Sequence, residues 1–177
     1  RPGQRVRPVD HRPKAVRRPA VDRRQLEAAG RPNRTVERLG FRGIARNIFR
    51  ADIFHGHDWP AGLLPVYLRE NPGNDPAFFG AKCVTTIHNL GYQGNFPANC
   101  VEDAGLSRSL FHSEGLEFWG RLSFMKAGIV WSDAITTVSP TYAREIQTPE
   151  YGFGMDGLLR ERASRVHGIL NGADYGE

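Results

Sequence analysis

Two short apolar runs, each ending in polar side chains, restrict this chain to few folds. The first is Asp52-Ile-Phe-His-Gly-His-Asp-Trp59, in which Ile53 and Phe54 open a strand and His55, His57 and Asp58 crowd its end. Pro60 to Glu70 follows with the pattern of a helix whose first turn tolerates proline. The second run, Cys83-Val-Thr-Thr-Ile-His88-Asn89, has the same ending. Strands that end in polar residues and feed helices belong to open α/β sheets, where ligands collect at the carboxyl ends of the strands. His57, Asp58, His88 and Asn89 are therefore the candidate active site.

The rest of the chain from residue 50 onward continues the alternation. Asn71 to Pro76 is dense in turn residues. Leu90 to Glu114 reads as a long polar and aromatic connection. Phe118, Leu122, Met125 and Ile129 recur at helical spacing, which predicts a helix near 116–131. Ala134 to Val138 is a strand, and Ser139-Pro140 supplies an N-cap and N1 proline for a helix to Ile146. Met155 to Ala163 is a further helix, and Val166 to Leu170 a last strand. Strands near 52–57, 83–88, 134–138 and 166–170 alternating with helices predict an α/β fold, a Rossmann-like parallel sheet with flanking helices. Its strand ends are expected to face one cleft. With 177 residues the chain has room for one domain with a sizeable core.

Residues 1–38 stand apart. They hold Pro2, Pro8, Pro13, Pro19 and Pro32, repeated arginines and almost no large apolar side chains. Residues 1–50 carry 14 Arg and one Lys against Asp10, Asp22, Glu27 and Glu37, whereas residues 51–177 carry 9 basic against 15 acidic side chains. The overall charge of +5 thus misdescribes the body of the chain. Low hydrophobicity with high net charge predicts that 1–38 is disordered; Arg/Pro-rich text is also what a GC-rich gene yields when read out of frame. A nucleic-acid partner is not expected, because no aromatic residue interleaves these arginines before Phe41. No apolar run approaches the roughly 18 residues of a membrane span, and no secretory signal is visible. With Cys83 and Cys100 as the only cysteines, the expected compartment is the cytoplasm.

At the strand ends, zinc would need a converging shell of ligands. His55 and His57 share a strand face and His88 would be the third ligand, but acids to orient them are missing from the flanks, so no metal and no cofactor are expected. A Ser nucleophile elbow is absent. The loop Gly91-Tyr-Gln-Gly94 exposes Tyr92 and Gln93, which suit a sugar by stacking and by hydrogen bonds; an ordinary Gly-rich turn is the alternative.

Six blocks in series, DIFHGHDW (52–59), TIHNLGYQG (86–94), LEFWGRLSFMK (116–126), ITTVSPTYAREI (135–146), TPEYGFGMDGL (148–158) and ILNGADY (169–175), resemble successive blocks of bacterial glycogen synthases and plant starch synthases, glycosyltransferase family 5. The resemblance implies that residues 39–177 are part of the N-terminal half of a GT-B fold. It implies transfer of glucose from ADP-glucose to the non-reducing end of an α-1,4-glucan, with retention and without a metal. By the same resemblance His88 and Asp58 are catalytic, and His57, Asn89, Tyr92, Gln93 and Asn171 bind substrate. Trp119 departs from the smaller or polar residue common in its block, and Pro60 from a polar one. The family's Lys-x-Gly-Gly motif and its C-terminal domain, which handle the donor's diphosphate, have no counterpart in these residues. Turnover by this chain alone is not expected; the alternatives are a non-catalytic glucan-binding role or, less favoured, nucleic-acid binding through the basic N-terminal segment.

Overall fold

The computed structural model describes residues 51–70 and 78–172. The expectations for residues 1–38 and for the 71–76 loop lie outside the described residues. Strand β1 (Ile53–His57) leads through a 3-10 turn at Trp59–Ala61 into helix α1 (Leu64–Glu70). Strand β2 (Lys82–Ile87) follows, then β3 (Asn95–Phe96) and the short helix α2 (Cys100–Asp103). Strands β4 (Glu117–Phe118) and β5 (Arg121–Ser123) precede helix α3 (Phe124–Trp131). Strand β6 (Ala134–Thr137), helices α4 (Pro140–Glu145) and α5 (Asp156–Glu161), and strand β7 (Val166–Gly168) complete the order.

The sheet is the expected one: four strands in the order β1-β2-β6-β7, each pair parallel. The order steps across the sheet in one direction, so right-handed crossovers stack the connecting helices on one face. That face carries Gly56, Thr85 and Ile135. Thr85 and the Ser132 that ends α3 share a hydrogen bond of 2.6 Å there. Ile87, Ile135, Met125 and Ile129 are fully buried between sheet and helices, with Ile146, Met155 and Leu159 closing the cluster. A second cluster joins α1 and α3 to the 95–116 region through Val66, Phe96, Val101, Leu116 and Phe124. Leu90 to Glu114 is therefore more ordered than a polar connection.

The expectation of one helix over 116–131 is corrected in its first half. Glu117–Phe118 and Arg121–Ser123 form an antiparallel hairpin, with Phe118 paired to Arg121 across the two-residue loop Trp119-Gly120. Both loop residues have positive φ, 52° and 72°, the geometry of a primed hairpin turn whose twist matches its strands. The helix begins only at Phe124, capped by Ser123, whose hydroxyl accepts the Lys126 amide. Phe118 and Leu122 reach the core from strands, so their spacing mimicked a helical face.

Asp133 ties the opposite edge of the sheet together. Its carboxylate accepts the Cys83 amide at 2.8 Å and meets Arg69 of α1 at 2.5 Å and Lys82 at 3.3 Å. Burial pushes its pKa up, but the amide and the two cations outweigh that and hold it below the ordinary value.

Candidate functional site

β1 and β2 run parallel in a register that sets His57 beside Thr86. Their exits consequently bring His57, Asp58, His88 and Asn89 together at the carboxyl edge. His57 Nδ1 and His88 Nε2 are 3.0 Å apart and share one hydrogen bond, so one ring donates and the other accepts. Both rings are exposed. His55 stacks on His57 with centroids 4.4 Å apart, and its Nε2 lies 2.6 Å from Thr86 Oγ1. Thr86 in turn pairs with Thr136 Oγ1 at 2.6 Å. Partial burial, then the neighbouring His57 and His88, push the His55 pKa down.

Asp58 extends the β1 ladder by donating its amide to Thr86 O at 2.8 Å, then turns with φ 52°. Its Oδ1 accepts the amides of His88 at 2.7 Å and Asn89 at 3.3 Å. The carboxylate thus fixes the point where β2 ends. Asn89 Oδ1 accepts the Gly91 amide at 2.9 Å, which tightens the following turn. Tyr142 Oη accepts the Leu90 amide at 2.9 Å, and the Met125 and Phe124 amides at the start of α3 donate to Gln93 O and Gly94 O. Gly94, at φ 58°, lies so close to Trp59 that a Cβ there would sit 2.4 Å from the indole. The loop from His88 to Gly94 is anchored from four sides.

Of the sequence-predicted residues, the structure brings His57, Asp58, His88 and Asn89 together. Tyr92 stands exposed on the same loop, 66% accessible. Gln93 turns inward: its Nε2 donates to Phe153 O at 3.0 Å and its Oε1 accepts from Asn95 Nδ2 at 3.1 Å. Its amide therefore ties the 91–94 loop to the 152–154 loop. Asn171 follows β7 and donates its amide to Val138 O at 3.3 Å, on the same edge but two strands from β2. Sequence reasoning left out the threonine support beneath the histidines and the aromatic neighbours Phe153 and Trp119. The strand alternation from His55 through Thr86 to Thr136 was the available signal for the first.

The chemistry open to this edge is polar and positional. Two imidazoles and an amide can donate to and accept from hydroxyl groups on rigid backbone. The buried Cys83 thiol is pushed up to about 11 by desolvation, which rules it out as a nucleophile at neutral pH. Among the described residues no group of three or more His, Cys, Asp or Glu side chains has metal-holding geometry, and no helix is long and apolar enough to cross a membrane.

Comparison with known proteins places this geometry in context. The starch synthase catalytic domain family matches residues 34–161, more than half of the chain. A glycogen synthase of Myxococcus xanthus is 58% identical over 130 residues, covering 73% of this chain and 27% of the relative. One from Pseudothermotoga lettingae is 55% identical over 126 residues, covering 71% and 26%. Among solved structures, the catalytic domain of starch synthase IV from Arabidopsis thaliana, bound to ADP and acarbose, superposes with a TM-score of 0.74 at 28% identity over 88% of this chain and 31% of that one. The chain spans about a quarter of the length of the curated relatives it matches.

Proposed function

The chain belongs to the starch synthase catalytic domain family, glycosyltransferase family 5, and from that membership we propose that its residues 39–177 form part of the N-terminal domain of a glucosyltransferase. The whole protein transfers glucose from ADP-glucose to the non-reducing end of an α-1,4-glucan with retention of configuration. The observation that carries this reading is the His57–His88 pair, exposed at the strand ends and 3.0 Å apart, with the His88 backbone held by Asp58. The ADP and acarbose held by the Arabidopsis domain support a nucleoside diphosphate and a glucan as ligands.

In this reading His88 touches the donor sugar and is the catalytic residue of the chain. Its free ring nitrogen accepts from a glucose hydroxyl, a bond that strengthens as positive charge grows on the sugar. His57, hydrogen-bonded to it, fixes its orientation. Asp58 acts through the backbone it holds and is a positioning residue. Asn89 and Tyr92 face the sugars, Gln93 braces their loop, and Asn171 marks the passage towards the second domain. The departing diphosphate requires fixed cations, and we assign these to the part of the protein outside these residues. Turnover accordingly belongs to the whole protein.

The test is glucose transfer by the full-length protein to glycogen, with ADP-glucose and UDP-glucose compared as donors and the anomeric configuration of the new linkage read by α-glucanase digestion. Transfer from ADP-glucose with an α linkage is expected. Transfer of neither sugar overturns the proposal.

A further inference from the structure

Two exposed aromatic residues occupy backbone positions that aromatic residues avoid. Trp119 has φ 52° and is 81% accessible; Phe153 has φ 48° and is 56% accessible. Each is followed by a glycine also at positive φ, Gly120 at 72° and Gly154 at 82°. At the first central position of such a turn Asn, Asp or Gly is preferred, and a bulky side chain is an outlier. Neither ring returns the favour by filling the core. The backbone gains nothing from Trp or Phe at these points, so the strain directs attention to what the exposed rings themselves do in this chain.

The two turns meet in space. A Cβ on Gly154 would lie 3.3 Å from Phe118 Cζ and 3.5 Å from Trp119 Nε1. Phe118 supports the indole edge-on, with centroids 6.1 Å apart. On the other side a Cβ on Gly91 would lie 3.5 Å from Phe153 Cζ and 3.1 Å from Asn89 Oδ1. An aromatic path therefore leads from Asn89, at the strand ends, over Phe153 to Trp119. Beyond it lies a cavity of about 530 Å³ walled by Phe118 and Gly154 together with the carboxylates Glu114 and Glu161 and the cations Lys126 and Arg162. Flat apolar rings beside a rim of hydrogen-bonding charged side chains suit a chain of pyranose units, which has apolar faces and polar edges.

We propose that Trp119 and Phe153 form a stacking platform for the α-glucan chain, holding sugar units beyond the one that reacts. The proposal rests on the glucosyltransferase reading for the identity of the ligand, and on the two strained aromatic turns for its place. The platform sets affinity for long chains without touching the reacting sugar.

The experiment is native electrophoresis of the full chain through gels with and without glycogen, for the wild type, Trp119→Asn and Phe153→Asn, with a thermal melt of each. Asparagine suits both backbone positions, so the melting temperature is expected to stay level or rise. Each substitution is expected to weaken glycogen retardation roughly tenfold, as loss of an aromatic anchor does. Retardation unchanged in both variants, a melting temperature that falls in step with affinity, or a wild-type chain that glycogen does not retard would each overturn the platform. Glycogen binding through Trp119 in a full-length protein that transfers no glucose would remove the enzyme reading and keep the platform. Transfer with unaltered glucan affinity in both variants would do the reverse.

Discussion

Asp58 Oδ1 receives the backbone amide of His88 at 2.7 Å, so the residue that ends one strand fixes the exit of its neighbour. A charged acceptor for two amides is worth more than a neutral one. This is how an edge strand holds a histidine that makes no use of the core. The same carboxylate would otherwise be read as a second catalytic group, and substitution separates the two roles.

In the full-length protein, Asp58→Ala is expected to lose about 2 kcal/mol of stability from the orphaned amides and most of the turnover. Asp58→Asn keeps an acceptor oxygen and is expected to recover most of both. Steady-state transfer and thermal melts on the three proteins check this. An Asn variant as inactive as the Ala variant, yet fully stable, would make Asp58 a participant in the chemistry.

His55 predicts a pH limb. Its folded pKa lies below the ordinary 6.5, so the unfolded chain binds the extra proton first as pH falls. Its contribution is whole above the unfolded value and is lost as pH drops through the lower folded one. His55→Gln should flatten the fall in melting temperature between about pH 7 and pH 5. An equally steep fall in the variant would place the sensitivity elsewhere.

Asp133 governs a more acidic limb, at the sheet edge away from the histidines. Its folded pKa is held below the ordinary 3.8. Its contribution is whole above the ordinary value and fades as pH falls through the lower folded one. Asp133→Asn is expected to lower stability at neutral pH by about 1 kcal/mol and to weaken its decline below pH 3.8. Glycogen retardation of the chain should be unaffected. Loss of glucan binding in this variant would mean that the two edges are coupled.

The parallel sheet was legible because β1, β2 and β6 each announce themselves by apolar strand residues and a polar exit; after β6 a helix opens on Ser139-Pro140 as expected, whereas Pro60 sits in a 3-10 turn and α1 begins only at Leu64. Ser139 does accept the Tyr142 amide, as its position foretold. The gathering of His57, Asp58, His88 and Asn89 followed from the same rule, since parallel neighbours end on one edge. The hairpin at Glu117–Ser123 was hidden for a physical reason. Trp119-Gly120 lacks the Asn-Gly chemistry of a two-residue turn, and Phe118, Leu122 and Met125 keep helical spacing by coincidence. The tie made by Gln93 was hidden in another way: a Gly-rich loop shows that its side chains are near the surface, not which of them turns back. Only the carbonyl of Phe153, 60 residues further on, decides that.

The most direct test is His88→Ala in the full-length protein, assayed for glucose transfer from ADP-glucose to glycogen and melted on the same preparation. The ring is exposed and hydrogen-bonded to another exposed ring, so its loss should leave the melting temperature nearly unchanged. Losing one hydrogen bond that strengthens in the transition state should cost on the order of 2–4 kcal/mol, roughly 30- to 1000-fold in turnover. Near-normal turnover with a markedly lower melting temperature would contradict the account and make His88 a structural residue.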